Sequence, residues 1–264
     1  MDWLHAIAGL FVGLMVGLTG VGGGSLMAPI LILLFGIVPA TAVGTDLWFA
    51  AITKAVGGTV HHRQGGMDSG PDYQVIRRLA LGSLPAAILT LIWLSQLDMK
   101  QIKSGYIMIV LGFVLVLTAI ATLFRGKFHD MARHARIETA QGFLKYQTAL
   151  TVVAGAVLGV MVTLTSVGAG ALGATLLLAL YPLRMHTQRL VATDIVHAVP
   201  LTLVAGLGHL WIGNVNGLLL ANLLVGSIPG IIIGSLLASK APDTLLRVAL
   251  AGVLVFAGVR LITN

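Results

Sequence analysis

The chain has 264 residues, 57% of them hydrophobic and only 9% charged, with a mean hydropathy of +0.98. A soluble domain carries about 25% charged residues, so this composition excludes a water-soluble globule and argues for a polytopic membrane protein. The formal net charge of +7 lies in loops, with no basic stripe among aromatics to suggest a nucleic-acid partner, and the lack of cysteine removes disulfides and thiolate metal sites.

The first apolar segment covers 4–18. It lacks a positive leading region and a small-residue cleavage site, so it reads as part of the mature fold and not as a secretory signal. The joint GLTGVGGGSL at 17–26 leads into a second segment at 22–37. Both segments are shorter than the ~20 residues that cross a bilayer. They read either as two short spans or as a hairpin that enters the membrane and turns back, with glycine permitting the joint. Segments at 43–60, 76–95 and 102–124 complete a set of five. A basic stretch follows at 125–146. Five more segments lie at 147–164, 167–181, 190–211, 216–238 and 243–262, the first two again joined by a glycine-rich phrase, TLTSVGAGALG at 163–173.

The two sets align. With a shift of 146, Gly9, Gly13 and Leu18-Thr19 meet Gly155, Gly159 and Leu164-Thr165, and Gly22 and Gly24 meet Gly168 and Gly170. With a shift of 148, Thr45-Asp46 meets Thr193-Asp194, Gly58 meets Gly206 and His61 meets His209. With a shift of 144, Gly82-Ser83-Leu84-Pro85 meets Gly226-Ser227-Ile228-Pro229. Chance apolar similarity would not keep these polar groups in order. The expected organisation is a first membrane repeat at 1–124, a basic linker at 125–146 and a second repeat at 147–264. Five segments per half is odd, so the second half enters from the opposite side. The expected fold is therefore all-α, with two inverted-topology repeats. Lys and Arg gather on the cytoplasmic side. Arg125, Lys127, Arg133, Arg136 and Lys145 thus place the central loop inside and both termini outside.

GLTGVGGGSLMAPIL, AVGTDL and GGTVHHRQGGMD, with TSVGAGALG and VATDIVHAVPLTLVAGLGHLWIG in the second half, resemble the sulfite exporter TauE/SafE family. The resemblance covers essentially the whole chain. It implies a multi-pass protein of the bacterial inner membrane that moves small sulfur-containing anions, such as sulfite, thiosulfate or organosulfonates, usually outward. One position departs from the pattern: aspartate follows the threonine in both halves, where serine or another small polar residue is expected in many relatives. That leaves substrate and coupling open.

The residues themselves suggest where an anion would sit. A helix N-terminus presents free N–H groups and partial positive charge. Thr19, Gly20, Gly22, Gly23, Gly24 and Ser25 at one joint, and Thr165, Ser166, Gly168 and Gly170 at the other, are the expected substrate-binding residues. Glycines also let transmembrane helices pack closely, and Gly13, Gly17, Gly155 and Gly159 fit that role. GVGGGS lacks the Gly-Lys-Ser/Thr ending of a phosphate loop and the spacing of a dinucleotide fingerprint.

Ionisable groups inside a membrane suggest function. Asp46 and Asp194, each behind a threonine (Thr45, Thr193), are candidates for proton coupling or gating, with N-capping at a helix start as the alternative. His197 lies three residues beyond Asp194, on one helix face, and His61 and His209 are repeat mates that can titrate near neutral pH. Lys54 can offset an anion's charge or pair with a carboxylate, or snorkel to an interface; its second-half counterpart is Thr202. Trp3, Trp48, Trp93 and Trp211 read as interfacial anchors. The repeat-related Pro85 and Pro229 read as a paired hinge or as tolerated kinks.

The expected partners are a small anion, the lipid bilayer and a coupling proton, with self-association allowed. No cofactor or metal is expected, and no enzymatic activity. A passive anion channel is the main alternative. A membrane-embedded enzyme using Asp194, His197 and His209 is a weaker one, because these residues form no recognisable nucleophile or closed ligand set, and a partner subunit is a third.

Overall fold

In the computed structural model of the chain, the described residues are 2–19, 24–64, 70–96, 104–237 and 243–263. Among them there are nine α-helices and no strand: α1 Trp3–Thr19, α2 Gly24–Leu33, α3 Pro39–Gln64, α4 Tyr73–Gln96, α5 Ser104–Thr165, α6 Ala171–Leu180, α7 Thr187–Ile212, α8 Gly217–Leu237 and α9 Asp243–Thr263. Each apolar segment expected from the sequence contains a helix among its described residues.

One boundary differs. The basic stretch 125–146, expected as a loop, is helical, so segments 102–124 and 147–164 both belong to α5. The stretch has no proline and is rich in Arg, Ala and Lys, residues that favour helix. Two candidate spans lie within α5, Met108–Lys127 and Phe143–Thr165.

α2 and α6 each have 10 residues. A rise of about 1.5 Å per residue makes them roughly 15 Å long, half the ~30 Å hydrocarbon core. Neither can cross the bilayer.

The pattern of burial is that of a protein whose solvent is lipid. Leu89, Phe113, Leu218 and Phe256 are exposed, while Asp46, Lys54, Ser83, Asp194 and His197 are buried. In water so much exposed apolar surface would drive association; in a bilayer it is the surface required.

Glycines set the helix packing. α1 lies along α8, with Gly9 facing Leu223, Gly13 facing Ser227 and Gly17 facing Ile231. The pairs advance together, so the helices run parallel. On the α8 side, Gly226 faces Ala6 and Leu10, and Gly230 faces Leu10 and Leu14. The same contacts recur between α4 and the second part of α5: Gly155 faces Leu79, Gly159 faces Ser83, and Gly82 faces Val152 and Ala156. Each of these contacts is made against backbone, which only a residue without Cβ allows. The packing role expected for Gly13, Gly17, Gly155 and Gly159 is what the structure has.

A second set of contacts exchanges between the halves. Asp72 caps the start of α4 by accepting from Val75 N at 3.3 Å, and Asn216 caps α8 by accepting from Leu219 N at 3.0 Å. Asp72 N donates to Thr193 Oγ1 at 2.9 Å, and Asn216 N donates to Thr45 Oγ1 at 3.1 Å. The shift of 144 that aligns Gly82 with Gly226 also aligns Asp72 with Asn216. Only the first is charged, and it pairs with Arg184 at 2.8 Å and Arg189 at 3.5 Å.

α3 and α7 pack on one another at the centre, with α4 against α7 and α8 against α3. Trp48 is not an interfacial anchor: its indole N–H donates to Gly206 O at 2.9 Å and ties α3 to α7. Trp3, Trp93 and Trp211 are exposed, as expected of anchors. Pro85 and Pro229 both sit inside continuous helices.

Candidate functional site

The second glycine joint occupies residues 166–170, between α5 and α6. Ser166 takes the left-handed conformation, with φ 59°, and Gly168 and Gly170 have φ of 121° and 151°. Such angles turn the chain at once from the end of one helix to the start of the next. Thr165 holds the turn: its hydroxyl donates to Met161 O at 2.6 Å and accepts from Val167 N at 3.1 Å. Its hydroxyl is therefore committed to the joint's own backbone. Beyond the turn, α6 opens with Gly173 N bonded to Gly168 O and Ala174 N to Gly170 O.

The first joint is only partly visible. Gly20, Gly22 and Gly23 lie outside the described residues, as do the side chains of Thr19 and Ser25. Gly24 opens α2.

α3 carries Asp46 and Lys54, eight residues and about two helical turns apart. The second joint lies across them. At one end the Ser166 hydroxyl stands beside the Asp46 carboxyl. At the other, Lys54 Nζ donates to Ala169 O. Asp46 Oδ2 also accepts from Ala28 N of α2 at 3.3 Å. Asp46 thus joins the opening turns of α2 to the joint that starts α6. Asp46 Oδ1 and Ser166 Oγ are buried, and neither closes a hydrogen bond of normal length.

α7 supplies the opposite wall. Asp194 Oδ2 lies 3.5 Å from Lys54 Nζ, with both side chains almost fully buried. The charge of Arg125, on α5, also acts on Asp194. Asp194 Oδ1 fits against Gly173 of α6, where a Cβ would stand 2.7 Å away. His197 Nε2 meets Ser83 Oγ of α4 at 2.9 Å.

Several expectations change here. α3 starts at Pro39 and α7 at Thr187, so Asp46 and Asp194 lie about two turns inside their helices. They do not cap their own N-termini; Asp46 instead binds the backbone of α2. The Thr45 and Thr193 hydroxyls accept from the backbone N–H of the capping residues Asn216 and Asp72, at the starts of α8 and α4. Lys54 does not snorkel outward; it is buried against a carboxyl group. His209 is buried and bonded through Nε2 to Thr163 O at 2.9 Å, bracing the end of α5. The side chain of its mate His61 lies outside the described residues.

The sequence did not single out Ala28, Ala169 or Gly173, and it gave Ser83 no partner. Their signal is weak: Ala28 and Ala169 act through backbone atoms, and Gly173 has Met27 as its repeat counterpart.

Buried ionisable groups on central helices, two half-length helices and a lipid-facing exterior define a polytopic helical membrane protein with a polar interior. Residues 5–261 match the family model described as sulfite exporter TauE/SafE. The chain belongs to that family. It is 39% identical over 257 residues to a Bacillus subtilis (strain 168) protein named "Probable membrane transporter protein YjnA", a match covering 97% of this chain and 98% of that one. No solved structure gives a significant match. Family and relative both describe transporters and not enzymes.

Proposed function

We propose that the protein is a secondary transporter that carries a small sulfur-containing oxyanion, such as sulfite, thiosulfate or an organosulfonate, outward across the bacterial inner membrane. The substrate would sit where the opening of α2 and the second glycine joint meet α3 and α7. One observation carries the reading: Asp46 touches both Ala28 of α2 and Ser166 of the second joint, so α2 and the turn that leads into α6 meet at one buried carboxyl group. Helix starts aimed at one point suit an anion, through their free N–H groups and dipoles. Irregular backbone at membrane depth belongs where it lines a cavity.

The reciprocal contacts of the two halves support an inverted repeat, 1–124 and 147–264 about the linker 125–146. In that arrangement α1 with α8, and α4 with the second part of α5, rock as paired units about the site. The basic stretch faces the cytoplasm by its charge, which puts both termini outside. Asp46, Asp194 and His197 are the proposed coupling or gating groups, with a proton as the coupling ion.

A ligand that binds the native state stabilises it, by about 2.7 kcal/mol at a hundredfold excess over its Kd. Thermal unfolding of the purified protein with sulfite, sulfate, thiosulfate, a small organosulfonate and chloride should give a clear rise in Tm with at least one sulfur oxyanion and none with chloride. Equal, flat responses to all five would overturn the anion-site reading.

A further inference from the structure

Among the buried polar groups described between α3, α7 and the second joint, one cation stands out, Lys54. Lys54 has three N–H donors as an ammonium group. One goes to Ala169 O. The contact to Asp194 Oδ2, at 3.5 Å, is longer than the ~2.7–2.9 Å of a closed charge-assisted hydrogen bond, and Asp194 Oδ2 completes no hydrogen bond of its own. The pair is thus a counter-charge contact and not a locked bridge. Of the neighbouring groups, Asp46 Oδ2 accepts from Ala28 N at 3.3 Å, and His197 Nε2 meets Ser83 Oγ at 2.9 Å. Lys54 also has no second-half equivalent; Thr202, in that position, bonds back to Ala198 O of its own helix. Among the described residues Lys54 is therefore the one buried ammonium, and it lies next to the second glycine joint.

Resting on the anion-transport reading above, we propose that Lys54 is the charge that takes the anion and that Asp194 is its exchangeable counter-ion. The incoming anion and the ionised Asp194 compete for one ammonium group. A proton passing from solvent to the Asp194 carboxylate removes the competitor, so anion and proton enter together, one of each. The charged groups acting on Asp194 are Lys54 on α3 and Arg125 on α5, and His197, one turn on in its own helix, also lies within range of the Lys54 charge. Of these, only Lys54 is within ion-pair distance of Asp194 among the described residues. Gly173, lacking a Cβ, is what lets the Asp194 carboxyl group stand this close to α6.

The test is calorimetric titration of the purified full-length protein with thiosulfate and with sulfate, both fully ionised at about pH 6 and about pH 8. For the wild type, affinity should be higher at the lower pH, by about tenfold or more, with uptake of about one proton per anion in buffers of different ionisation enthalpy. Asp194→Asn should bind at least as tightly as wild type and show equal affinity at both pH values. Lys54→Met should lose binding by more than tenfold, and Lys54→Arg should recover part of it. Lys54→Met leaves a buried carboxylate unpaired and risks misfolding, so the double variant Lys54→Met/Asp194→Asn, with no stranded charge, is measured beside it and should fold yet not bind. If the wild type binds an anion and the double variant binds it as well, the Lys54 assignment is wrong while the anion site stands. Retention of the pH dependence in Asp194→Asn overturns the exchange. If the wild type binds neither anion, the anion-site reading falls, and this inference with it.

Discussion

Replacing Gly226 by leucine should cost at least the upper end of the ~1–3 kcal/mol typical of overpacking and should lower the unfolding temperature sharply. A Cβ there meets the backbone of Ala6 and Leu10, so no side-chain rotation can make room. α1 and α8 would have to separate. Gly82→Leu should behave alike, because its Cβ meets Val152 O and the Ala156 backbone in the related contact of the other half. Gly252→Ala is the control. Nothing lies within 4 Å of a Cβ at that position, and alanine there gains up to ~1 kcal/mol of helix propensity. Thermal unfolding in detergent, read with size-exclusion profiles, checks all three. Gly226→Leu melting with the wild type would show that α1 and α8 do not meet as described.

Ser166→Gly should separate stability from function. Holding an L-residue in the left-handed region costs about 1–2 kcal/mol, whereas glycine's greater freedom in the unfolded chain costs about 0.5–1 kcal/mol. The substitution should thus leave stability unchanged or slightly raised. The first half already has glycine at the aligned position, Gly20. What is lost is a buried hydroxyl that stands beside Asp46 and closes no hydrogen bond of normal length. A hydrogen bond to a charged group is worth about 1.5–3 kcal/mol, so anion transport should fall about ten- to hundredfold. Full transport in a stably folded Ser166→Gly protein would remove this hydroxyl from the site.

The segments, their half-length members and the packing glycines were legible because each follows from a local pattern. Apolar runs mark the helices. Glycines at four-residue spacing, as in Gly9, Gly13 and Gly17, mark a close helix contact. The duplication also marked Thr45-Asp46 and Thr193-Asp194 as a pair. It could not reveal that the pair divides its labour, with Asp46 bound to the α2 backbone and Asp194 set against Lys54. That difference comes from tertiary neighbours: Lys54 has no aligned counterpart, and Gly173 opposes Asp194 where Met27 stands in the first half. Trp48 misled for the same reason, since an indole near a segment end can face lipid headgroups or a neighbouring helix. The caps Asp72 and Asn216 were within reach of sequence comparison, because the shift of 144 that joins Gly82 with Gly226 also joins them. The helical course of 125–146 was hidden by its charge, which resembles a loop while its residue types favour helix.

Purified protein reconstituted into sealed liposomes, loaded with radiolabelled sulfite or thiosulfate on one side, tests the central claim most directly. The account predicts saturable movement of at least one of these anions, accelerated by unlabelled anion on the opposite side and by an inward or outward pH step of the matching sign, and lost in Lys54→Met. Protein-containing vesicles that retain both anions as tightly as empty ones, with and without the pH step, would contradict it.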